Sequence, residues 1–308
     1  MITTVTLNPM LDKTVSVGKI RPGGIARADA VHVIVGGKGV NVARQIHRLG
    51  GGALALTFAG GETGKMLERL LAGEGLPHRL VRVDGMTREG VTYREADGSV
   101  TSVFEPQHPV TPEECRALVD ACAASLGDSA WVACSGSSPC RETDGAFAEI
   151  IRLCRRRGIP AALDSYAEAM TLGAAAAPDL LKMNRDEFYS TFGRRIDSAR
   201  DALDAAREVV RGGIARCVIS DGPRAVAAAA SAGAWIVDPP PVTALNPTGS
   251  GDALLAGIIH GLGCGWDFPD ALAFGSAAGA ANAAVWDVCA AGLEQITGLL
   301  DRVRITRG

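Results

Sequence analysis

Short apolar runs alternate with longer segments of helical periodicity along this chain, and the alternation restricts the possible folds more than any other feature of the sequence. Each run has the length of one strand, and segments such as 201–210 between the runs have the apolar spacing of a surface helix. Buried strands separated by helices are typical of a parallel sheet covered on both faces. The clearest runs are Ala130–Cys134, Ala161–Asp164, Leu180–Met183, Cys217–Ser220 and Ala234–Val237. The sequence therefore predicts an α/β protein with one large domain.

Two β-rich segments interrupt this rhythm. In Val15–Val35, β-branched residues recur on both sides of Pro22-Gly23-Gly24, and a second such segment runs from Val91 to Phe104. Neither has helical periodicity. We predict that both form a small β-structure attached to the main sheet.

Composition and charge exclude several classes of protein. Thirty-one Lys and Arg residues against thirty-four Asp and Glu residues give a net charge of -3, so neither a nucleic acid nor a membrane is an expected partner. The segment Met1–Pro9 lacks the features of a signal peptide, so we expect a cytoplasmic location. The eight cysteines show no CxxC spacing and are expected to be free thiols. The five histidines show no HxxxH spacing, which disfavours a transition-metal site.

The segment 246–257 carries the strongest chemical signal. Gly249, Ser250 and Gly251 precede an apolar helical pattern, so free backbone N–H groups and the helix dipole would form an anion hole there. Asp252 falls in the first helical turn. A carboxylate repels a phosphate, and its presence is explained if it accepts a proton from a hydroxyl that attacks phosphorus. The alternative is that Asp252 only complements the helix dipole.

A second glycine-rich turn, Gly36–Asn41, separates a strand pattern from a helix pattern. It does not fit the dinucleotide fingerprint, because Val42 occupies the third glycine position. The segment 60–65 is closer to a Walker A loop but lacks the Ser or Thr that holds Mg²⁺. What remains is a backbone cradle with one cation, Lys38, and one amide, Asn41, which suits a polyol or a sugar phosphate. A tight turn with a solvated lysine is the alternative.

Two further clusters follow strand-like runs. Asn184 with Glu187 three residues later predicts a helix cap, and the same pair could face a hydrated Mg²⁺ near phosphate oxygens. The segment 220–223 stands at the end of a strand, where α/β sheets place ligand loops, or forms a plain β-turn. The residues alone leave both alternatives open.

Taken together, these segments resemble the phosphofructokinase B (ribokinase-like) family of sugar kinases. The matching motifs are Thr6-Leu7-Asn8-Pro9 with Asp12, Gly36–Ala43, Asn184 with Glu187, and Thr248–Asp252. The first motif is most similar to the subgroup that acts on phosphorylated ketohexoses, 1-phosphofructokinase and tagatose-6-phosphate kinase. The resemblance implies one kinase domain over residues 1–308, with a three-layer αβα core and a β-sheet lid formed by about 13–35 and 88–104.

The resemblance also implies an activity and a role for each matched residue. The γ-phosphoryl group of ATP, bound with Mg²⁺, would pass to a hydroxyl of fructose 1-phosphate, tagatose 6-phosphate or fructose 6-phosphate, with Asp252 as the base. The other implied roles are the anion hole for Gly249, Ser250 and Gly251; sugar hydroxyls for Asp12, Gly37 and Asn41; the sugar's phosphate for Lys38, Arg27 and Arg88; ATP and Mg²⁺ for Lys182, Asn184, Glu187, Ser220, Gly222 and Asn282; and a monovalent cation for Asn246 and Thr248. A homodimer through the lid is a further expectation.

Several residues depart from the family pattern. Gly90 stands where the family usually has Asn, and Phe104 and Gln107 alter an Asn-Glu-Pro-Gly stretch at the edge of the lid. These changes affect the expected substrate more than the reaction. The alternatives are therefore a kinase of a free sugar or other small polyol, and a non-catalytic sugar-phosphate sensor. The missing third glycine disfavours a dinucleotide-dependent oxidoreductase.

Overall fold

A computed structural model describes residues 1–308 and contains two sheets. The large sheet has ten strands in the order β14-β13-β12-β11-β10-β9-β8-β1-β4-β5. Numbered along the chain, its strands are β1 (Ile2–Thr6), β4 (Ala53–Gly60), β5 (His78–Val83), β8 (Trp131–Ser135), β9 (Ala161–Asp164), β10 (Leu180–Asn184), β11 (Arg216–Ser220), β12 (Val226–Ala230), β13 (Gly233–Asp238) and β14 (Arg304–Arg307). The small sheet contains β2 (Met10–Val17), β3 (Ala28–Gly36), β6 (Arg88–Glu95) and β7 (Val100–Phe104), in the order β3-β2-β6-β7.

The large sheet is parallel except at one edge. From β5 to β11 all neighbouring strands run parallel, as the sequence predicts. The expectation that Ala234–Val237 joins the parallel part is wrong, because β12, β13 and β14 pair antiparallel. Only Ser231 and Ala232 connect β12 to β13. So short a connection closes a hairpin, whereas a parallel crossover needs a dozen or more residues.

Helices cover both faces of the large sheet, which confirms the three-layer α/β fold. The helices are α1 (Lys38–Arg48), α2 (Gly61–Gly73), α3 (Pro112–Ser125), α4 (Ala146–Arg156), α5 (Ala167–Ala175), α6 (Arg185–Phe192), α7 (Ala199–Arg211), α8 (Ser250–Gly263), α9 (Phe268–Ala283) and α10 (Leu293–Thr297). Val132 and Cys134 pack with α3 to α7, whereas Trp131 and Ala133 pack with α1, α2, α8 and α9. The strands thus bury alternate residues in two apolar layers.

The small sheet is built from the two β-rich segments that interrupt the sequence rhythm. Strands β2 and β3 form an antiparallel pair, and β6 pairs parallel with β2 on its other side. The register places Asp12 opposite Ile34 on one neighbour and opposite Gly90 on the other. Asp12 therefore lies on a central strand, close to where the chain leaves the large sheet.

Other local features follow from the sequence. Thr111 caps α3 in a capping box with Glu114, as its position before Pro112 predicts. All eight cysteines are free, as expected. None of the ten helices combines the length and the apolar character needed to cross a membrane.

Helices α8 and α9 approach each other closely because glycines lie at their contact. A Cβ on Gly275 would lie 2.6 Å from the carbonyl oxygen of Leu254 and 2.6 Å from Ile258 Cγ1. We therefore predict that Gly275→Ala lowers the free energy of unfolding by about 1–3 kcal/mol, the usual effect of overpacking a core. Denaturant unfolding measures the change. Gly263→Ala is the control, since its Cβ would meet only Trp131 Cδ1 at 3.6 Å. Equal stability of the two variants would contradict this account.

Candidate active site

Most predicted site residues gather where the parallel strands end. Asp164 is the last residue of β9, Asn184 of β10 and Ser220 of β11. The register places Lys182 beside Asp164 and Asn184 beside Ser220. The carboxyl ends of parallel strands meet at one edge of a sheet, which is the usual ligand-binding edge of an α/β protein. Gly222 follows Ser220 in a tight turn with φ of 55°.

A buried ion-pair cluster occupies this edge. Asp164 Oδ1 accepts a hydrogen bond from Lys38 Nζ at 2.9 Å, and its Oδ2 accepts one from Lys182 Nζ at 2.7 Å. Asp164 and Lys182 are almost completely buried. Lys38 also pairs with Glu187. The cluster joins the first residue of α1 to strands β9 and β10, so it fixes the Gly36–Asn41 turn against the main sheet.

The pKa shifts of Asp164 and Lys38 both favour the charged form. Burial alone would raise the pKa of Asp164, but Lys182 and Lys38 outweigh it and hold that pKa below its ordinary value. Burial also acts to lower the pKa of Lys38, yet the neighbouring carboxylates raise it above its ordinary value. Sequence reasoning missed Asp164 as a site residue. The available signal was an acid at the end of an otherwise apolar strand.

The turn before α8 has the geometry of an anion hole. Gly249 precedes the helix with φ of 80°, and no side chain caps the helix. The N–H groups of Gly251 and Asp252 have no acceptor in the protein. A Cβ on Gly251 would lie 2.8 Å from Lys182 Nζ, so the buried ammonium adjoins this turn. The free N–H groups, the helix dipole and the ammonium together favour a bound anion.

Gly249 is required for a reason that the sequence did not show. Its Cβ would lie 2.4 Å from Val288 Cγ1, and its positive φ disfavours any other residue. Val288 belongs to the segment after α9. Hydrogen bonds of Asn282 connect that segment to the turn before α8. Asn282 Nδ2 donates to the carbonyl oxygen of Thr248 at 2.8 Å, and its Oδ1 accepts from the N–H of Cys289 at 2.6 Å. The polar atoms of Asn282 thus hold two loops together.

Asp252 is buried in the first turn of α8 and held by a chain of polar contacts. Asn41 Nδ2 donates to Asp252 Oδ2 at 2.8 Å, and Arg44 Nη1 donates to Asn41 Oδ1 at 2.9 Å. Arg44 is itself fixed by Glu74 at 2.6 Å. Burial raises the pKa of Asp252 from 3.8 to about 6, although Lys38 acts to lower it. The sequence predicted Asn41 and Asp252 but not Arg44, which appeared there only as part of a helical pattern.

Asn184 and Glu187 form the helix cap that the sequence left open as an alternative. The Asn184 side chain accepts from the N–H of Glu187 at 2.8 Å, and Glu187 Oε2 accepts from the N–H of Asn184 at 2.8 Å. The other oxygen of Glu187 faces Lys38. Within the protein, no group of three or more His, Cys, Asp or Glu residues is placed to hold a metal ion.

The three cations expected around the sugar's phosphate do not meet. Lys38 forms ion pairs with the carboxylates of Asp164 and Glu187, so its charge is already compensated. Arg27 is exposed just before β3, whose first residue pairs with Val17 rather than with the Asp12 end of β2. Arg88 is half-buried, and its Nε is buried without a hydrogen-bond partner. Arg88 takes part in none of the ion pairs or side-chain hydrogen bonds of the protein.

Arg88 lines a small cleft at the junction of the two sheets. The lining residues include Asn8, Thr87, His108, Pro109 and Pro139. Of these residues, Asn8 is held by a hydrogen bond from its Nδ2 to Ser137 Oγ at 2.9 Å. Strand β2 connects this cleft to Asp12, since Met10 lies beside Arg88 in the register and Asp12 follows two residues later. Asp12 in turn lies close enough to Arg44, the partner of Asn41, for their charges to interact.

Comparisons with known proteins agree with this arrangement. The model of the pfkB family of carbohydrate kinases matches residues 6–290. ATP-dependent 6-phosphofructokinase isozyme 2 of Mycobacterium tuberculosis is 33% identical over 91% of this chain and 83% of its own length. The 1-phosphofructokinase of Escherichia coli K12 is 32% identical over 85% of this chain and 84% of its own length.

The fold matches a solved kinase over almost its whole length. The structure of phosphofructokinase-2 from Escherichia coli in complex with potassium superposes with a TM-score of 0.91 at 29% identity, covering 97% of this chain and 98% of that one. A second structure of that enzyme contains fructose-6-phosphate.

The raised pKa of Asp252 predicts a stability change. Because the pKa is higher in the folded state than the ordinary 3.8, the buried charge destabilises the fold above pH 6 and the penalty disappears below about pH 4. We expect Asp252→Asn to raise the thermal unfolding midpoint at pH 8, with a gain that shrinks as the pH falls to 4. Asp120→Asn, on the exposed side of α3, is the control. A midpoint below that of the wild type at pH 8 would refute the assignment.

Proposed function

The chain belongs to the pfkB family of carbohydrate kinases, and on that premise we propose that it transfers the γ-phosphoryl group of ATP to a hydroxyl of a phosphorylated ketohexose. The observation that carries the proposal is the position of Asp252, a buried carboxylate beside the free N–H groups of Gly251 and of Asp252 itself. The carboxylate would accept a proton from the attacking hydroxyl, and the N–H groups would bind the transferred phosphoryl group.

Relatives support a phosphorylated acceptor. The two curated relatives are named for the phosphorylation of fructose phosphates, and Escherichia coli phosphofructokinase-2 has been solved with fructose-6-phosphate. We extend this class of substrate to the present chain. Fructose 6-phosphate and fructose 1-phosphate are the first acceptors to test, followed by tagatose 6-phosphate.

Asp252 has the properties of a general base in this reaction. A base is most effective when its pKa lies near the working pH, and burial has moved the pKa of Asp252 to about 6. Asn41 fixes one of its oxygens, which leaves the other for the acceptor hydroxyl. Lys182 and the start of α8 would stabilise charge on the phosphoryl group.

The acceptor's phosphate is assigned to Arg88. Arg88 lines the cleft, is half-buried and has no ion-pair partner, and a phosphate would satisfy the exposed part of its guanidinium through charge-assisted hydrogen bonds. With Lys38 held by Asp164 and Glu187 and Arg27 exposed before β3, Arg88 is the one of the three expected cations that remains near Asp12, two register positions away. Asp12, Gly37 and Asn41 would then hold the sugar hydroxyls between the phosphate and Asp252.

ATP and Mg²⁺ are proposed on the side of β10 and β11, next to Asn184, Ser220 and Gly222. Asp164 and Glu187 are already engaged by lysines, so the protein offers no carboxylate cage. The residues fit an ion that arrives on the phosphates of ATP, with Glu187 and Asn184 near its water shell. When bound, Mg²⁺ would offset phosphate charge.

Three further parts of the proposal concern the surroundings of the site. The small sheet is proposed to act as a lid, and a second copy would pack on its outer face, where Val31 and Val103 are exposed. A monovalent cation is proposed near Asn246 and Thr248. Their loop is held in place by Asn246 Nδ2, which donates a hydrogen bond to the carbonyl oxygen of Trp286 at 2.9 Å. A cytoplasmic location completes the proposal.

We predict that Asp252→Asn lowers turnover by about 10²–10⁴-fold, because an amide cannot accept the proton. In the wild type, kcat/KM should fall as the pH drops through about 6, since protonated Asp252 is inactive as a base. A coupled assay of ATP consumption measures both. Retention of more than about a tenth of the turnover would exclude Asp252 as the base.

We predict that Arg88→Ala raises KM for the phosphorylated acceptor by roughly tenfold or more, since a hydrogen bond to a charged group contributes about 1.5–3 kcal/mol. KM for ATP should change little. Arg82→Ala removes an exposed arginine from β5 and is the control. The same assay compares free fructose, free tagatose and nucleosides. A free sugar used as well as its phosphate would indicate the alternative kinase, and binding without turnover would indicate a sensor.

A further inference from the structure

One face of the small sheet carries Asp12 together with a glycine and an aromatic residue. The register places Gly90 opposite Asp12 on β6 and Phe104 opposite Gly90 on β7. Residues that are directly paired project from the same face of a sheet. We call this face the inner face. Val103 precedes Phe104 and therefore lies on the opposite, outer face.

The inner face is turned toward the start of α8. Two of its residues contact the loop after α9: the guanidinium of Arg94 lies 3.9 Å from the ring centroid of Trp286, and His32 Nε2 lies 3.5 Å from Asp287 Oδ1. The next residue of that loop, Val288, packs against Gly249. Phe104 therefore lies on the face of the small sheet that is turned toward the loop after α9, which itself packs on the turn before Asp252.

The ring of Phe104 lies directly on the backbone of Gly90. A Cβ on Gly90 would be 2.6 Å from Phe104 Cδ1 and 3.2 Å from Met10 Sδ. Met10 is placed in the same way over Gly36, whose Cβ would lie 3.1 Å from Met10 Cγ. The two glycines therefore make room for an apolar wall, consisting of Met10 and Phe104, that adjoins Asp12.

The wall is open on the side of the site. Phe104 remains 53% exposed although one face of its ring is seated on Gly90. Aromatic rings supply large apolar contact area, and binding pockets combine such surfaces with a few polar groups that fix orientation. Here the polar groups are Asp12 and Arg88, which lie on the same inner face as the ring.

We propose that Phe104 is a specificity-determining residue of the acceptor site, an inference that rests on the proposed function. The C–H groups of the acceptor's carbon skeleton pack against the wall of Met10 and Phe104 while its hydroxyls point to Asp12. A hydroxyl directed at the ring would lose its hydrogen bonds, so the wall favours acceptors that present carbon at this position. Gly90 contributes by leaving space for the ring.

The test measures acceptor KM, ATP KM and kcat with fructose 6-phosphate and fructose 1-phosphate. Phe104→Ala should raise KM for the acceptor by about tenfold, with kcat and the KM for ATP nearly unchanged, as expected for loss of uniform apolar binding. The control is Leu172→Ala, which removes an exposed apolar side chain from α5, outside both the small sheet and the proposed contact between copies. This control should match the wild type.

A double-mutant cycle tests the role of Gly90. Gly90→Ala should displace the ring and raise the acceptor KM, but it should add nothing in the Phe104→Ala background, because it acts through the ring. Thermal unfolding of each variant checks that the fold is kept. Additive effects of the two substitutions would overturn the role assigned to Gly90.

Two outcomes overturn the proposal for Phe104. Equal acceptor KM values for Phe104→Ala, Leu172→Ala and wild type would show that the ring lies outside the acceptor site. A KM change that follows the oligomeric state, measured by light scattering, would assign the ring to a contact between copies. If the wild-type enzyme consumed no ATP with any of the phosphorylated ketohexoses, the proposed function would be overturned, and this inference with it.

Discussion

Asp164 holds the active-site edge together, because two lysines from different parts of the chain share its buried carboxylate. Lys38 comes from the start of α1 and Lys182 from β10, so the side proposed for the acceptor and the side proposed for ATP meet at one side chain. A buried carboxylate without partners is strongly destabilising, and removal of either lysine would leave charge uncompensated. The value of the cluster lies in positioning, since buried ion pairs add little net stability.

The same environment shifts the pKa of a second carboxylate, that of Asp252, in the opposite direction. Asp252 lies close enough to Lys38 and Lys182 to feel their charge, but its hydrogen bond comes from the neutral amide of Asn41. Burial therefore dominates and raises its pKa, whereas the direct lysine contacts lower that of Asp164. Two buried acids with separated pKa values mark the division of labour in many active sites. Here the paired acid orders the site and the unpaired one suits proton transfer.

Glycines give the small sheet its part in the site. Gly36 and Gly90 flank the strand that carries Asp12, and the missing side chains make room for Met10 and Phe104. The sheet also touches the loop after α9 through Arg94 and Trp286. That loop packs on Gly249, so the sheet and the anion hole are in physical contact through a few side chains.

The sequence by itself determined the features that depend on neighbours along the chain. Strand and helix periodicity predicted a parallel sheet covered by helices on both faces. Capping patterns predicted where α3 and α6 begin, and the glycine turns indicated where a phosphate and a polyol would bind. Residues separated by a few positions make these structures, so their pattern is visible locally.

Only the tertiary structure decided how charges from distant segments pair. Lys38 and Asp164 are separated by 126 positions, so the sequence could not show the acid that binds Lys38, and the family resemblance assigned this lysine to the sugar's phosphate. The surroundings of Arg27 and Phe104 were likewise set by strand register, and those of Arg44 by the packing of α1 against the residue that follows α2. Packing in three dimensions decides which of several possible partners a charged or apolar side chain contacts. Spacing along the chain does not reveal that choice.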